Sequence, residues 1–157
     1  MLKFIGAVLV TAAGAFVGEM EVCRLKDRVI QLTELVELLE QIQLYLSAYG
    51  ASTEELFKML SSKQGKYHSC FQTSSSELTL EVCAALRESC LEMKDDLADY
   101  IYDFGKTTLN GQLQKTSILM SDVNAVLRSV KEKCEKNTKL YRAAGFSIGM
   151  MAAVLLI

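Results

Sequence analysis

Residues 22–46 of the chain, VCRLKDRVIQLTELVELLEQIQLYL, repeat an apolar residue at alternating spacings of three and four. Valine occupies one of the two heptad positions and leucine the other, with Gln43 as the polar exception, and this pattern predicts a long helix. The same pattern is typical of a parallel two-stranded coiled coil, so a homodimer is an open alternative. Further apolar residues widen the face beyond that stripe and favour a helical bundle: Ile30, Leu35, Leu38 and Ile42.

The composition of the whole chain agrees with a helical protein. Of its 157 residues, 50% are hydrophobic and none is proline. Because proline interrupts helices and makes up about 5% of an average chain, its absence favours long helices. A net charge of −2 argues against a nucleic-acid-binding protein, which carries a basic excess. Five cysteines cannot all pair, and no disulfide framework is expected.

Turn and cap residues after the first long helix predict a short second helix. Gly50 ends the first helix, and Ser52 or Thr53 is the expected N-cap of a helix that continues to Leu60. Residues 61–76 are rich in Ser, Lys and Gln, and we expect them to form a loop.

A third helix and a second long helix complete the predicted bundle. Ser74 and Glu77 predict a capping box for the third helix. Its core residues keep heptad spacing without a break: Cys83, Leu86, Cys90, Met93, Leu97, Tyr100 and Phe104. The last helix follows the turn Asn110-Gly111, and residues 19–48 and 112–142 would each be about 45 Å long, which suits an antiparallel pair. The predicted fold class is all-α, a bundle of about four to six helices.

Uncharged stretches at both ends of the chain predict two transmembrane helices. Residues 4–18 and 143–157 contain fifteen residues each without a charge. Fifteen helical residues span about 22 Å of a hydrocarbon layer of about 30 Å, and snorkelling by Lys3 and Arg142 with local bilayer thinning can close the gap. The predicted domains are therefore a transmembrane helix over 1–18, a cytosolic helical bundle over 19–142 and a transmembrane helix over 143–157.

Each terminal segment has an alternative interpretation. Lys3 and the small residues 13–15 are also features of a cleaved signal peptide, but the small residues lie inside the apolar run, which favours a retained anchor. The second segment is also compatible with a buried core helix. Glycines four residues apart predict close packing of two membrane helices: Gly14 with Gly18, and Gly145 with Gly149.

Basic residues beside the two apolar segments predict their orientation. Most lie on the side of the middle domain, so the positive-inside rule places that domain in the cytoplasm and both termini outside. We call six of them the basic neck and expect them to lie near lipid head groups: Arg24, Lys26, Arg28, Lys136, Lys139 and Arg142.

The middle of the chain is acidic. Residues 34–103 contain thirteen acidic and five basic residues, a net charge of −8. Such a surface could steer a basic partner, although a solvated helical surface explains most of these acids equally well. On charge alone, the candidate partner-binding residues are Glu54, Glu55, Asp95, Asp96 and Asp99.

The sequence contains no constellation of catalytic residues. Gly105-Lys106-Thr107 is similar to the end of a phosphate-binding loop, but Tyr100 stands where that loop requires its earlier glycine. His68 and Cys70 have no second ligand pair at a spacing that would suit zinc. We therefore expect no enzymatic activity, no cofactor and no metal.

The two ends and one turn resemble a known family. Met1-Leu2-Lys3, Gly6-Ala7-Val8, the turn Phe104-Gly105 and residues 136–149, KNTKLYRAAGFSIG, are similar to stage III sporulation protein AB of endospore-forming bacteria. The chain departs from the family pattern at residues 51–55, which lack the usual prolines, in a shorter loop after the Phe-Gly turn, and in the absence of a tryptophan before the third helix.

The resemblance implies a fold, a location and partners. The fold would be similar to the cytoplasmic domain of type II secretion inner-membrane platform proteins. The location would be the mother-cell membrane around the forespore, in a channel complex that couples a secretion-type ATPase, stage III sporulation protein AA, to other membrane subunits. The expected function is thus a non-enzymatic platform subunit that contacts membrane lipid and no nucleic acid. A membrane-anchored coiled-coil dimer that acts as a tether or spacer is the alternative.

Overall fold

The computed structural model describes residues 2–50, 52–72 and 78–156, and within these ranges the protein is helical with no β-strand. The all-α prediction is confirmed. The elements, in chain order, are α1 (Leu2–Tyr49), α2 (Thr53–Ser61), a 3-10 helix (His68–Phe71), α3 (Leu78–Glu88), α4 (Lys94–Tyr102) and α5 (Leu109–Leu156).

The chain divides into two compact units. One, the terminal unit, consists of Met1–Val29 with Arg128–Ile157, and the other, the central unit, consists of Ile30–Leu127. The long helices α1 and α5 contribute to both units. The borders predicted at residues 18 and 142 concern membrane segments and stay predictions. Within the part of the chain that the structure describes, no helix has a stretch both long and apolar enough to cross a membrane.

The core of the central unit is built on one broad face of α1. Six of its aliphatic side chains are at most 2% exposed, and they come from the heptad stripe and from three of the four positions expected to widen it, whereas the fourth, Ile30, is 59% exposed. Burial of each such side chain contributes about 1.5–3 kcal/mol to folding, which explains why the helix packs in a bundle. The bundle prediction is confirmed. The six residues are Leu32, Leu35, Leu38, Leu39, Ile42 and Leu46.

Aromatic side chains join the shorter helices of the central unit. Phe57 of α2 contacts Phe71 edge to face, with ring centroids 5.4 Å apart, and lies 6.3 Å from Phe104. Phe104 in turn meets Tyr100 of α4 edge to face at 5.8 Å. Such arrangements are the favoured geometry for aromatic pairs, and this row connects the 3-10 helix, α2 and the end of α4.

The predicted start of α2 is confirmed, and the predicted loop after it is only partly correct. Gly50 adopts a φ of 53° and ends α1, and the Ser52 hydroxyl accepts a hydrogen bond from the Glu55 N–H at 3.4 Å. The segment 61–76, predicted as loop, contains the 3-10 helix His68–Phe71. The predicted capping box of Ser74 and Glu77 includes residues outside those that the structure describes.

The prediction of one continuous third helix is wrong, because the chain breaks between α3 and α4. Met93 adopts a left-handed φ of 52°, and contacts distant in sequence hold the break open. The Glu92 N–H donates to the Gln31 side chain at 3.1 Å, and its carbonyl accepts from the Tyr67 hydroxyl at 2.7 Å. Lys94 Nζ donates to the carbonyls of Arg87 and Ser89 at the end of α3, where the last turn of a helix leaves carbonyls without helical partners.

The last helix begins earlier than predicted. The expectation placed its start at residue 112, whereas α5 begins at Leu109 and the Gln112 N–H already donates to the Thr108 carbonyl at 2.9 Å. The Asn110-Gly111 pair therefore lies in the first turn of the helix rather than in a preceding turn. Both long helices have 48 residues.

Candidate functional site

The two terminal helices cross at glycines in the terminal unit. A Cβ built on Gly18 would lie 2.6 Å from the Tyr141 carbonyl oxygen, and one built on Gly145 would lie 2.6 Å from the Gly14 carbonyl oxygen. No side chain fits at such distances, so the backbones of α1 and α5 are in direct contact. Gly14 of α1 lies against Gly145 of α5, and Gly18, which is later in α1, lies against Tyr141, which is earlier in α5. The two helices are therefore antiparallel here. We call these four residues the glycine contact.

A two-pronged ion pair lies at the edge of the glycine contact. Arg142 donates through Nε and Nη2 to the two carboxylate oxygens of Glu19, at 2.8 Å and 2.7 Å. This fork geometry holds one guanidinium in one orientation and so sets the register of the two helices. The hydrogen bond and charge of Arg142 lower the pKa of Glu19, and the carboxylate raises the pKa of Arg142.

Large apolar side chains of the terminal unit lie on its outside. In both helices, several aliphatic and aromatic side chains are 62–69% exposed, whereas Gly18 and Val22 are buried. Among the described residues of this unit, Gly18, Val22 and Val130 are buried while larger apolar side chains lie on the outside, which is unusual for a protein in water. Those exposed residues are Leu9, Phe16, Val17, Leu140, Ile148, Met151 and Val154.

The acidic residues predicted to bind a partner are all exposed on the central unit. Glu54 and Glu55 lie in the first turn of α2, and Asp95 and Asp96 in the first turn of α4, where a negative charge stabilises a helix. Asp99 accepts a hydrogen bond from Arg87 Nη2 at 2.7 Å. These positions have a structural role in their helices.

Only part of this acidic set lines a common depression. Asp96 and Asp99 border a groove together with Asp103 and Asp122, which the sequence analysis missed, and Asp95 is not among its lining residues. The spacing of 96, 99 and 103 on one helix face is the signal that would have pointed to Asp103. Nothing comparable in the sequence connects Asp122, which lies on α5, to that face.

A comparison with protein families decides the relationship of this chain. The family model of stage III sporulation protein AB matches residues 3–157. The chain belongs to this family. The resemblance seen at its two ends is confirmed, and the match includes the glycine contact and the central unit alike. Comparison with curated proteins and with solved structures gave no match. The protein is thus a sporulation protein, from a family that is not known as a family of enzymes.

The basic neck of this stage III sporulation protein AB family member lies on α1 and α5. Besides Arg142, which binds Glu19, Arg24 pairs with Glu21 at 3.0 Å and Lys136 with Glu132 at 3.9 Å. The other members, Lys26, Arg28 and Lys139, are exposed. Gly149, predicted with Gly145 as a helix-packing residue, belongs to α5, but its surroundings fall outside what the structure describes.

The cysteines and the single histidine of this family member are the side chains to consider for catalysis or metal binding. Among the described residues, no three His, Cys, Asp or Glu side chains are arranged to hold a metal ion. All five cysteines are free, and burial raises the pKa of Cys70 and Cys83, which disfavours their reactive thiolate forms. His68 is buried, and burial lowers its pKa.

Proposed function

We propose that this protein is a non-enzymatic membrane platform subunit of a secretion-like channel complex between mother cell and forespore. The terminal helices anchor it in the mother-cell membrane with both termini on the far side. The central unit lies in the mother-cell cytoplasm, where it couples a secretion-type ATPase, stage III sporulation protein AA, to the other membrane subunits. Membership of a sporulation family and the resemblance of both chain ends support this proposal.

The glycine contact, with large apolar side chains around it, is the observation that carries the membrane part of the proposal. In water, each exposed apolar Å² costs about 25 cal/mol relative to burial, whereas lipid tails solvate these side chains at no such cost. Small residues that bring two backbones together are a common interface between membrane helices. Gly18 and Gly145 fill that role within the helix pair.

The charged residues next to the glycine contact suit the border between lipid and water. Glu19 and Arg142 follow and precede the two apolar segments, and their ion pair neutralises both charges near the hydrocarbon. The exposed basic residues of the neck would gain about 1 kcal/mol each beside anionic lipid. These features support an orientation with the central unit on the anionic, cytoplasmic side.

The acidic surface of the central unit supports the partner part of the proposal. Glu54, Glu55, Asp95, Asp96 and Asp99 are exposed and face solvent in one chain, so they are accessible to a basic protein surface. Like-signed charge repels nucleic acid and anionic lipid, which leaves a protein as the favoured partner.

A coiled-coil dimer is the weaker alternative. It would use the valine and leucine stripe of α1 as its interface. Leu32, Leu39 and Leu46 of that stripe are at most 2% exposed within a single chain, so most of the stripe is already covered by the central unit. This favours the platform function over a tether.

The topology is tested by thiol labelling of single-cysteine variants in vegetative cells that produce the full chain. A membrane-impermeant maleimide should label Leu2→Cys and Leu156→Cys in intact cells. A chain that keeps only the exposed Cys90 should react after lysis alone. The protein should sediment with membranes and resist extraction by carbonate.

Two results would overturn the topology. A terminal cysteine that reacts only after lysis would place that terminus in the cytoplasm, and recovery of the protein in the carbonate-soluble fraction would remove the membrane anchor.

The ATPase partnership is tested by co-purification from sporulating cells. A variant with lysine at all five acidic positions should capture no ATPase, while a variant with glutamine at Glu132 and Glu135 of α5, outside the set, should capture it normally. Undiminished capture by the lysine variant would refute the assigned surface, and no capture by the unaltered protein would refute the coupling role.

A further inference from the structure

A groove between α4 and α5 combines a negative rim with an apolar floor. It lies entirely within the central unit and has a volume of about 300 Å³. Asp96 and Asp99 lie on α4, Asp103 is the residue directly after α4, and Asp122 lies on α5. Ile118 and Leu119 of α5 supply apolar lining to the same groove. We call this feature the acidic groove.

The charges of the acidic groove do not cancel. Its four carboxylates face one basic lining residue, Lys115, which binds Asp103 at 2.8 Å and lowers the pKa of that carboxyl, and Lys106 outside the lining lies 3.9 Å from the same carboxylate. Asp99 binds Arg87 at 2.7 Å. Asp96 and Asp122 lie one on each helix, and both are exposed. Negative side chains of the groove therefore outnumber the positive side chains that pair with them, and acidic residues lie on both helices.

The floor of the acidic groove is held in place from below. Tyr100 and Thr116 are buried, and their hydroxyls form a hydrogen bond of 2.7 Å between α4 and α5. Thr116 donates its own proton to the Gln112 carbonyl at 2.8 Å, so Tyr100 is the donor of the pair. Above this link, Ile118 remains 55% exposed. A preformed apolar surface of this kind reduces the entropic cost of binding.

We propose that the acidic groove binds a basic amphipathic helix of a partner protein. Arginine or lysine side chains of that helix pair with Asp96 and Asp122, and one apolar side chain packs on Ile118 and Leu119. The volume is at the lower limit of about 300 Å³ for small-molecule pockets, which suits the insertion of one or two side chains. The inference rests on the platform function for the identity of the partner, and it narrows the partner surface to one groove.

Two other occupants are disfavoured by charge or position. Nucleic acid and anionic lipid carry the same sign as the rim. The chain has a basic segment of its own, residues 128–142, with six basic and two acidic residues, but that segment directly precedes the apolar segment 143–157 that we place in the membrane. A second copy of this chain in the groove is therefore an outcome for the experiment to decide.

The test uses the full chain in nanodiscs of neutral lipid and a fluorescent peptide as probe. The peptide is a sixteen-residue helix former with leucine on one face and arginine on the flanks, and fluorescence anisotropy reports its binding. The double variant Asp96→Lys, Asp122→Lys should weaken binding at least about tenfold, and 1 M salt should do the same. Ile118→Ser should weaken it severalfold.

Matched controls separate the groove from general surface charge. The double variant Glu132→Lys, Glu135→Lys makes the same charge change on α5 but off the groove, and Leu109→Ser matches Ile118→Ser on the same helix. Both should bind within about twofold of the unaltered protein. A second peptide, with serine in place of leucine, should bind at least about tenfold more weakly. Urea unfolding of each variant shows that it is folded.

The inference is overturned if the unaltered protein does not bind the leucine peptide, if the Glu132, Glu135 control variant loses as much binding as the Asp96, Asp122 double variant, or if both peptides bind alike. Self-association that the double variant abolishes would make a second copy the occupant and overturn the partner helix. If the double variant still captures the ATPase, the groove is not the ATPase-binding surface, but the platform function is still supported.

If the peptide binds but the unaltered protein captures no ATPase, the platform function is refuted, but the groove is still supported as a site for a basic helix.

Discussion

Single glycines decide how closely the terminal helices approach. The neighbours of Gly18 and Gly145 are backbone atoms, which cannot move aside as a flexible side chain would. A methyl group at either position must therefore push one helix away from the other, and the Glu19–Arg142 pair beside it would lose its geometry. The same substitution is harmless where a glycine has open space, as Gly6 has.

Gly18→Ala and Gly145→Ala should each lower the stability of the full chain by about 1–3 kcal/mol, the usual cost of overpacking. Thermal unfolding in detergent micelles, followed by circular dichroism, measures the effect. Gly6→Ala is the matched control in the same helix and should be neutral or stabilising by up to about 1 kcal/mol, because alanine favours a helix. Equal melting of all three variants would contradict the glycine contact.

His68 is a second residue whose surroundings control its chemistry. It is 5% exposed, and its Nδ1 has no hydrogen-bond partner in the described part of the protein. Burial lowers its pKa from 6.5, while the nearby Glu34 carboxylate acts in the opposite direction. Because the unfolded chain binds the proton more readily, stability is greatest above pH 6.5 and is lost as the pH falls.

The free energy of unfolding should therefore decrease between pH 7.5 and pH 5.5, and His68→Gln should make that decrease shallower. Urea unfolding at a series of pH values gives the comparison. This interval lies above the range in which Glu19 and Asp103 titrate, since their pKa values are lowered from 4.5 and 3.8. Parallel pH profiles for the two proteins would show that another group is responsible.

At the scale of elements, helix ends depend on residues that tolerate a left-handed backbone. Gly50 ends α1 with a φ of 53° and has no atom within 4 Å of a built Cβ, so the backbone conformation alone requires glycine there. Gly105 after α4 has a φ of 82° and also lies close to Thr53. Met93 reaches a similar φ without glycine's freedom, because contacts from Gln31 and Tyr67 hold the neighbouring Glu92.

Gly50→Ala should cost about 1–2 kcal/mol, the price of a left-handed conformation for an L-residue. Gly50→Asn should cost less, because asparagine tolerates this region. Gly111→Ala is the control: it lies in the first turn of α5 with only ordinary contacts, and it should be neutral or stabilising. Chemical unfolding ranks the three, and a loss in Gly111→Ala as large as in Gly50→Ala would contradict the assignment.

At the scale of the whole molecule, the central unit has a core of its own. Buried residues from each of α1, α2, α3, α4 and α5 lie within Ile30–Leu127. In the terminal unit, the described residues that are buried include Gly18, Val22 and Val130, while several larger apolar side chains are 62–69% exposed. These exposed apolar side chains must therefore be covered by the surroundings of the unit, because the unit does not bury them itself.

A fragment of residues 30–127 should fold by itself and unfold cooperatively in urea. Its far-UV circular dichroism should be helical, and it should remain soluble without detergent, unlike the full chain. Leu39→Ala in this fragment should lower its stability by about 2–5 kcal/mol, the usual cost of a cavity at a fully buried leucine. A gradual, non-cooperative transition would show that the central unit depends on the terminal helices.

Much of the fold could be predicted because its signals are local. The heptad of α1, the stop at Gly50 and the cap at Ser52 are each written within a few residues, and helical hydrogen bonds act over the same distance. Family membership was also visible in short motifs at the chain ends. The candidate acids Asp96 and Asp99 could be named from charge, although charge alone did not separate them from Asp95.

Tertiary structure decided the rest, because the deciding contacts join residues far apart in the chain. The heptad between Leu86 and Leu97 is uninterrupted, yet the helix breaks there, since a side chain 61 positions away takes the Glu92 N–H. The acidic groove exists only because α4 and α5 pack side by side, and the glycine contact needs helices from opposite ends of the sequence. The periodicity of apolar residues predicts which face of a helix is buried, but tertiary packing determines which other helix covers that face.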